Sequence, residues 1–416
     1  MSVRTMSFAA PARLATCGTL ALAALAAAPA GAQALQGGVD VSVGAEVSSN
    51  PYLEQGASDV TASGSARVFP WVQYDNGRTA YTLDGSFEGR AFTSGGYDFE
   101  DNYSLNAGIS HRASERLTLR ARTGIFSTAS SFSSLLAGVS GPIDGPPLPT
   151  VPNPIDPGED VTVLGQLGRN SALLFSAGAD MTFDARNQLQ VSGDFRDSWS
   201  NRPNAEDYRS YGAQSRFMHV LDQSTSIGTD LSYQQTDYQQ ATAGDARTIS
   251  TLGSLSHRLG QYWTLDASAG ASFTRIDPTP ASPELDFTSF SVRANLCSRT
   301  ERRGLCFEYR RQPEPSAFGG VRNSDNFDFS FDQRVSQRDR LSLGLGFVRS
   351  GESRIDPVAF PKIDYLNLRG QFRRQFSNRV SAFVSGTLSR VDRPDVEVDP
   401  SVTVGAGITV SLGRPQ

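Results

Sequence analysis

The chain has 416 residues, of which 38% are hydrophobic, with a mean hydropathy of −0.32 and a formal net charge of −5 at pH 7. Beyond the N-terminus no stretch reaches the roughly 20 apolar residues of a spanning helix, which excludes a polytopic helical membrane protein. The mild acidity and the scattered arginines argue against a nucleic-acid partner, which would need a clustered basic surface.

Residues 1–34 have the features of a secretory signal peptide. Two arginines supply the positive segment, "CGTLALAALAAA" supplies a short apolar core, and small residues supply the cleavage site. We expect cleavage after Ala32 or Ala34, which leaves residues 35–416 as the exported chain.

The exported chain consists of stretches of about ten residues in which apolar and polar residues alternate. Two such stretches flank a short corner within residues 102–125. In residues 401–412, valine, isoleucine and leucine alternate with serine, threonine and glycine. Connections alternate between short turns and longer loops rich in Pro, Gly and Asp.

This pattern predicts an all-β fold. We expect a transmembrane antiparallel up-and-down β-barrel of about 18 strands, or of about 16 if weak ends do not pair. A closed barrel pairs every backbone group, so its apolar face can meet lipid while its polar face lines a wet lumen. The alternative, a soluble β-sandwich or β-helix, would need a second apolar face to bury.

The third long connection, residues 128–169, is too long and too rich in proline for a simple turn. It either folds inwards and narrows the pore, lies over the mouth of the pore, or forms a disordered surface loop. The sequence leaves these possibilities open.

Aromatic residues concentrate near the strand ends. Two interfacial girdles are typical of membrane barrels. We expect the girdles to include these residues: Trp71, Tyr74, Phe183, Phe217, Tyr262, Trp263 and Phe376 near the short turns, and Tyr52, Phe126, Trp199, Tyr208, Tyr211, Tyr233, Phe273, Phe287 and Tyr365 near the long loops.

Two cysteines, Cys297 and Cys306, remain after the signal peptide is removed. An even pair in an exported chain suggests a disulfide. Both residues fall on the polar face, and pairing across the hairpin would place Leu296 opposite Phe307. A redox switch is the less favoured alternative.

The polar face carries arginines and carboxylates together. One interpretation is a set of cross-strand ion pairs that stiffens the wall, and the other is an arginine ladder that guides an anionic solute, because charge rings set selectivity in pores. The candidate solute-guiding residues are Arg120, Arg122, Arg293, Arg310, Arg369 and Arg373.

The three histidines, His111, His219 and His257, each precede a short turn on a separate hairpin. No serine or acid is grouped with them by sequence. We therefore predict no catalytic residue, no metal site and no cofactor, although an outer-membrane enzyme stays open as a minor alternative.

The barrel pattern over residues 35–416, together with "SSNPYLEQGA" at 48–57, resembles the beta-barrel porin 2 family of outer-membrane proteins. The resemblance implies a place in the outer membrane of a Gram-negative bacterium and a link to exopolysaccharide export. It implies as partners the membrane lipid, an anionic polysaccharide and periplasmic export components, whereas the absence of a nucleic-acid partner is expected from the acidic charge. We expect a monomer; a general diffusion porin and a non-conducting structural or adhesion barrel are the alternatives.

Overall fold

The computed structural model describes residues 35–56, 60–93, 99–129, 168–202, 205–239, 244–280, 283–316, 319–352, 362–394 and 396–413. The predicted signal peptide and most of the long connection 128–169 lie outside the described residues.

The described residues form eighteen β-strands. Their bounds are β1 Leu35–Ser48, β2 Thr61–Asp75, β3 Thr79–Phe92, β4 Phe99–Ser114, β5 Leu117–Thr128, β6 Asn170–Thr182, β7 Asn187–Ser200, β8 Tyr208–Val220, β9 Thr225–Tyr238, β10 Ala246–Leu259, β11 Trp263–Ile276, β12 Leu285–Arg299, β13 Arg303–Pro315, β14 Val321–Arg334, β15 Asp339–Ser350, β16 Ile363–Gln375, β17 Val380–Asp392 and β18 Ser401–Leu412. No helix long and apolar enough to cross a membrane occurs in this described part of the chain.

Each strand pairs antiparallel with the next in sequence, and β1 also pairs with β18. Pairing of β1 with β18 closes the sheet and leaves it without an edge strand. The predicted antiparallel up-and-down transmembrane barrel is therefore confirmed, with eighteen strands rather than sixteen.

The two ends of the barrel differ in their connections. At one end the strands are joined by short turns, such as 115–116 between β4 and β5 and 376–379 between β16 and β17. Val39 near the start of β1 pairs with Leu412 at the end of β18. The first strand therefore begins, and the last strand ends, at this short-turn end. The longer connections all lie at the opposite, long-loop end.

The predicted alternation places apolar side chains outside and polar side chains inside. In β18, Val404 and Ile408 are more than half exposed on the outer surface, while Ser401 and Thr403 on the inner face are buried. Inward hydroxyls bond across strands, as in the 2.9 Å contact between the Ser42 and Thr409 side chains. Because the outer face of a closed barrel has no second layer, its apolar surface is available to lipid.

The aromatic girdles were predicted only partly correctly. The predicted members that are exposed are Phe183, Phe217, Tyr262 and Phe376 near the short turns, and Trp199, Tyr211, Tyr233 and Phe273 towards the long loops. Six other predicted members lie instead on the lumen side or in the mouth: Tyr52, Trp71, Phe126, Tyr208, Phe287 and Tyr365. Proximity to a strand end does not decide the face, because successive residues of a strand point to opposite sides.

Candidate functional site

The lumen wall carries all six candidate arginines, but the structure does not bring them together. Strand pairing places them on three separate parts of the wall: Arg120 and Arg122 on β5, Arg293 and Arg310 on β12 and β13, and Arg369 and Arg373 on β16. A single continuous ladder of these six residues is therefore not formed.

The two arginines on β5 illustrate the stiffening interpretation. The Arg120 guanidinium lies 2.7 Å from Asp180 on the neighbouring strand β6. Arg122 lies two residues further along the same face, opposite Ser176. Asp180 neutralises much of the charge of Arg120, so Arg120 attracts a passing anionic solute only weakly.

Arg293 and Arg310 lie directly opposite each other across β12 and β13. Like charges in this position repel. Carboxylates offset this repulsion, because Arg310 contacts Glu314 at 3.4 Å and Glu308 lies two residues away on the same face of β13, opposite Asn295.

The two candidate arginines on β16, Arg369 and Arg373, lie close to residues of the neighbouring strand β15. The Arg369 side chain extends over Gly344 of β15, since a β-carbon at that glycine would lie 2.6 Å from Arg369 Nε. Arg373 faces Arg340 directly across β15 and β16, and Arg340 faces Arg334 across β14 and β15. Arg340 was not among the candidates, because it follows immediately after a predicted turn.

A second charged cluster lies in the long-loop half of the lumen. Glu88 on β3 pairs with Arg67 on β2 and with Arg90 at 3.1 Å, and Arg90 reaches Glu46 on β1, also at 3.1 Å. Glu88 and Arg90 are buried. Removing one partner of such a buried network would leave an uncompensated buried charge, which is strongly destabilising. This cluster therefore holds β1, β2 and β3 together and stiffens the wall between β1 and β3.

The loop between β1 and β2 folds into the mouth of the barrel. Asn50 is buried and its side chain holds the loop closed, with donated bonds to the carbonyls of Glu54 and Asp399 at 3.0 and 3.2 Å. Leu53, at a φ of 56°, is 2% exposed and packs against Ile363, Tyr365 and Val391. This loop carries the "SSNPYLEQGA" segment.

A second contact narrows the same end. The Tyr238 hydroxyl lies 2.7 Å from the carbonyl of Gly320 and 3.1 Å from that of Ser316, in the loop between β13 and β14. Val321 at the end of that loop packs on Ala246 and Ile276. The loops after β1 and β13 thus both contact the wall at the long-loop end. Residues 130–167 of the long connection 128–169 lie outside the described residues, so its predicted arrangements stay predictions.

Cys297 and Cys306 form a disulfide between β12 and β13. They are direct cross-strand partners, with Leu296 opposite Phe307 as the sequence predicts. The bond lies on the lumen side of the wall, next to the short turn that joins the two strands.

The histidines are not brought together. His111 Nδ1 contacts Thr79 Oγ1 at 2.8 Å, His219 Nδ1 contacts Asn187 Oδ1 at 2.8 Å, and His257 Nδ1 contacts Thr225 Oγ1 at 3.0 Å. Each partner is the first residue of the preceding strand, so the three contacts repeat one structural unit. The part of the chain that the structure describes contains no group of three or more side chains able to hold a metal ion.

Comparison with known proteins shows similarity at the level of overall shape. No family model matches the chain, and no curated protein matches it. The FrpB iron transporter from Neisseria meningitidis (F5-1 variant) aligns with 91% of this chain and 82% of its own at 8% identity and a TM-score of 0.46. OpdL from Pseudomonas aeruginosa aligns over 91% and 98% at 11% identity and a TM-score of 0.44, and OccAB3 from Acinetobacter baumannii over 90% and 99% at 7% and 0.41. The resemblance to the beta-barrel porin 2 family stays a prediction.

Proposed function

We propose that this chain is an outer-membrane channel that passes polar solutes or a polymer, and that it serves exopolysaccharide export. The observation that carries the proposal is the pairing of an apolar outer face with a charged, arginine-containing lumen in one closed barrel. An outward apolar surface suits lipid, and charged pore walls select ions and charged solutes.

The orientation follows from the two ends of the barrel. Short turns are typical of the periplasmic side of bacterial outer-membrane barrels, and longer loops of the outer side. On this basis the signal peptide directs export, the short-turn end faces periplasmic export components, and the lipid and an anionic polysaccharide are the partners of a monomeric barrel. The porin-family resemblance supports the link to polysaccharide.

The test is the conductance of single refolded channels (residues 35–416) in a planar bilayer, with and without acidic oligosaccharides. We expect a steady conductance that acidic oligosaccharides block. Arg369→Ala combined with Arg373→Ala should weaken the block about tenfold, because two charge-assisted contacts are lost. Arg258→Ala, on the lumen face of β10, is the matched control.

Two outcomes would contradict the proposal in different ways. A conductance that is indifferent to acidic sugars would indicate a general diffusion porin. Absence of conductance, even after deletion of residues 130–165, would contradict a channel altogether.

A closed structural barrel is the second candidate, because two loops enter the mouth. Tyr52 reaches Glu100 on β4, and Tyr238 reaches the loop after β13. For this candidate the bilayer measurement should give no current in the intact chain.

A further inference from the structure

Three arginines form a row across the lumen wall at the short-turn end. Arg334 on β14 lies opposite Arg340 on β15, and Arg340 lies opposite Arg373 on β16. Directly opposed residues have β-carbons about 5 Å apart, and like charges in such positions repel. The row therefore concentrates positive charge at one level of the lumen.

The row opens into one cavity. This cavity encloses about 90 Å³, and its cationic lining is formed by Arg67, Arg334, Arg338, Arg340, Arg373 and Arg379. The carboxylates in the lining are Asp40 and Asp339. The positive lining groups thus outnumber the negative ones, and the volume is sufficient for a carboxylate-sized group.

Carboxylates near the row pair with some of the arginines that line the cavity. Asp332 accepts a hydrogen bond from Arg340 Nε at 2.7 Å, and its other oxygen accepts from Ser342 at 2.8 Å. Arg67 pairs with Glu88, further up the wall. In the described residues no carboxylate forms an ion pair with Arg338 or Arg379 in the flanking turns.

Two aromatic side chains lie on this part of the lumen wall. Phe383 on β17 is the cross-strand neighbour of Arg373, and its ring lies over Gly407 of β18, where a β-carbon would be 2.6 Å from Cζ. Phe69 on β2 lines the cavity from its other side, because β17, β18 and β1 lie between it and Arg373 on the wall. The electron-rich face of an aromatic ring attracts the C–H groups that lie on one face of a sugar ring.

We propose that this cavity binds the carboxylate-bearing sugar units of an acidic oligosaccharide or polysaccharide. Arg340 and Arg373 bind the carboxylate, because guanidinium groups match its planar geometry, and Phe69 on the other side of the cavity packs against the face of a neighbouring sugar ring in the open lumen. The proposal rests on the proposed channel function and locates the recognition site at the periplasmic mouth, where an exported polymer enters.

The experiment measures block of single-channel current by tri-galacturonate, maltotriose or inorganic phosphate, added separately to the two sides of the bilayer. We expect tri-galacturonate to block from the short-turn side at a lower concentration than from the long-loop side. Maltotriose and phosphate should block much more weakly, because each provides only one of the two kinds of contact.

Variants then assign the site. Arg340→Gln with Arg373→Gln should raise the half-blocking concentration of tri-galacturonate about tenfold or more, and Phe69→Leu about threefold. Arg258→Gln, a lumen-facing arginine near the same end but outside the cavity, should leave it unchanged. If the double variant does not refold, Phe69→Leu still tests the site, and calorimetric titration of the detergent-solubilised chain with tri-galacturonate gives a second measurement.

The outcomes separate this inference from the channel function. A conducting barrel whose block by tri-galacturonate is unchanged in both variants would overturn the site and leave the channel. Equal block by phosphate and tri-galacturonate would overturn sugar recognition in favour of a general anion site. Absence of conductance would contradict the channel, and absence of tri-galacturonate binding by calorimetry would then overturn the site independently.

Discussion

The Tyr52 hydroxyl, in the loop after β1, donates a hydrogen bond to the buried carboxylate of Glu100 on β4. The next residue, Leu53, packs against β16 and β17. This one loop therefore contacts two parts of the wall separated by several strands, and it spans part of the mouth between them.

Releasing this loop should widen the mouth. We predict that Tyr52→Phe combined with Leu53→Ala raises single-channel conductance, because the bond to Glu100 and the packing of Leu53 are both lost. The free energy of unfolding should fall by about 2–4 kcal/mol, as for other buried leucines. Val60→Ala, an exposed substitution in the same loop, is the control. Unchanged conductance in the double variant would mean that the loop does not obstruct the pore.

Removing the disulfide should change stability rather than transport. Replacing both Cys297 and Cys306 by serine removes the cross-link that closes a short loop in the unfolded chain. The chain-entropy estimate gives a decrease of about 2–3 kcal/mol in the free energy of unfolding. We expect a lower urea midpoint for the double variant and for the reduced wild type, with equal conductance. A large change in conductance would point to a redox-dependent pore instead.

The sequence predicts the wall of this barrel better than its mouth. Period-two alternation is enough to count the strands and to assign Arg373 to the lumen, because every second residue of a strand shares a face. It does not predict that Arg334, Arg340 and Arg373 lie side by side, since this depends on the register of three strands. Register is set by the turns and by the packing of the two faces together.

The loops are harder still to predict. The inward position of Tyr52 depends on a backbone turn at Leu53 with positive φ, which is uncommon for a residue other than glycine and has no periodic signature. The same limit applies to Tyr238, whose partner carbonyls lie in a loop that is distant in sequence. Contacts of this kind follow from the closed barrel and not from local patterns.

Gly407 should tolerate no side chain. A β-carbon there would lie 2.6 Å from Phe383 Cζ and 2.6 Å from the Val43 carbonyl oxygen. We predict that Gly407→Ala lowers the free energy of unfolding by about 1–3 kcal/mol through overpacking. Gly386→Ala is the matched control, because only ordinary contact at 3.9 Å would result.

Phe383→Ala in the Gly407→Ala background should recover part of this loss, as measured by a double-mutant cycle of urea unfolding. Strict additivity would contradict direct contact between the ring and the glycine.

The turn at Asp184 should contribute a pH-dependent stability. Hydrogen bonds from the Asn187 side chain and from the backbone N–H of Arg186 hold the pKa of Asp184 below its ordinary value of 3.8. A carboxyl whose pKa is lowered by folding stabilises the native state above its unfolded pKa, and this contribution is lost as the pH falls through the folded value.

We predict that Asp184→Asn is less stable than the wild type at about pH 7 and that the difference disappears at about pH 2. The measurement is urea unfolding at both pH values. Glu115→Gln, in another exposed turn, is the control. If the difference in the free energy of unfolding persists at about pH 2, the Asp184 side chain stabilises the turn through the geometry of its hydrogen bonds and not through its charge.

The orientation of the two faces can be tested with one pair of neighbouring residues. Leu231 in the middle of β9 is about half exposed on the outer surface, and Ser232 points into the lumen opposite Ser250. Arginine on the lipid face near the membrane centre costs about 2–4 kcal/mol, whereas a lumen position is solvated. Leu231→Arg should therefore lower the free energy of unfolding in lipid vesicles by about this amount, and Ser232→Arg should change it by less than about 1 kcal/mol. The reverse ranking would require an apolar interior, which is the arrangement of a soluble β-protein and is incompatible with a water-filled pore.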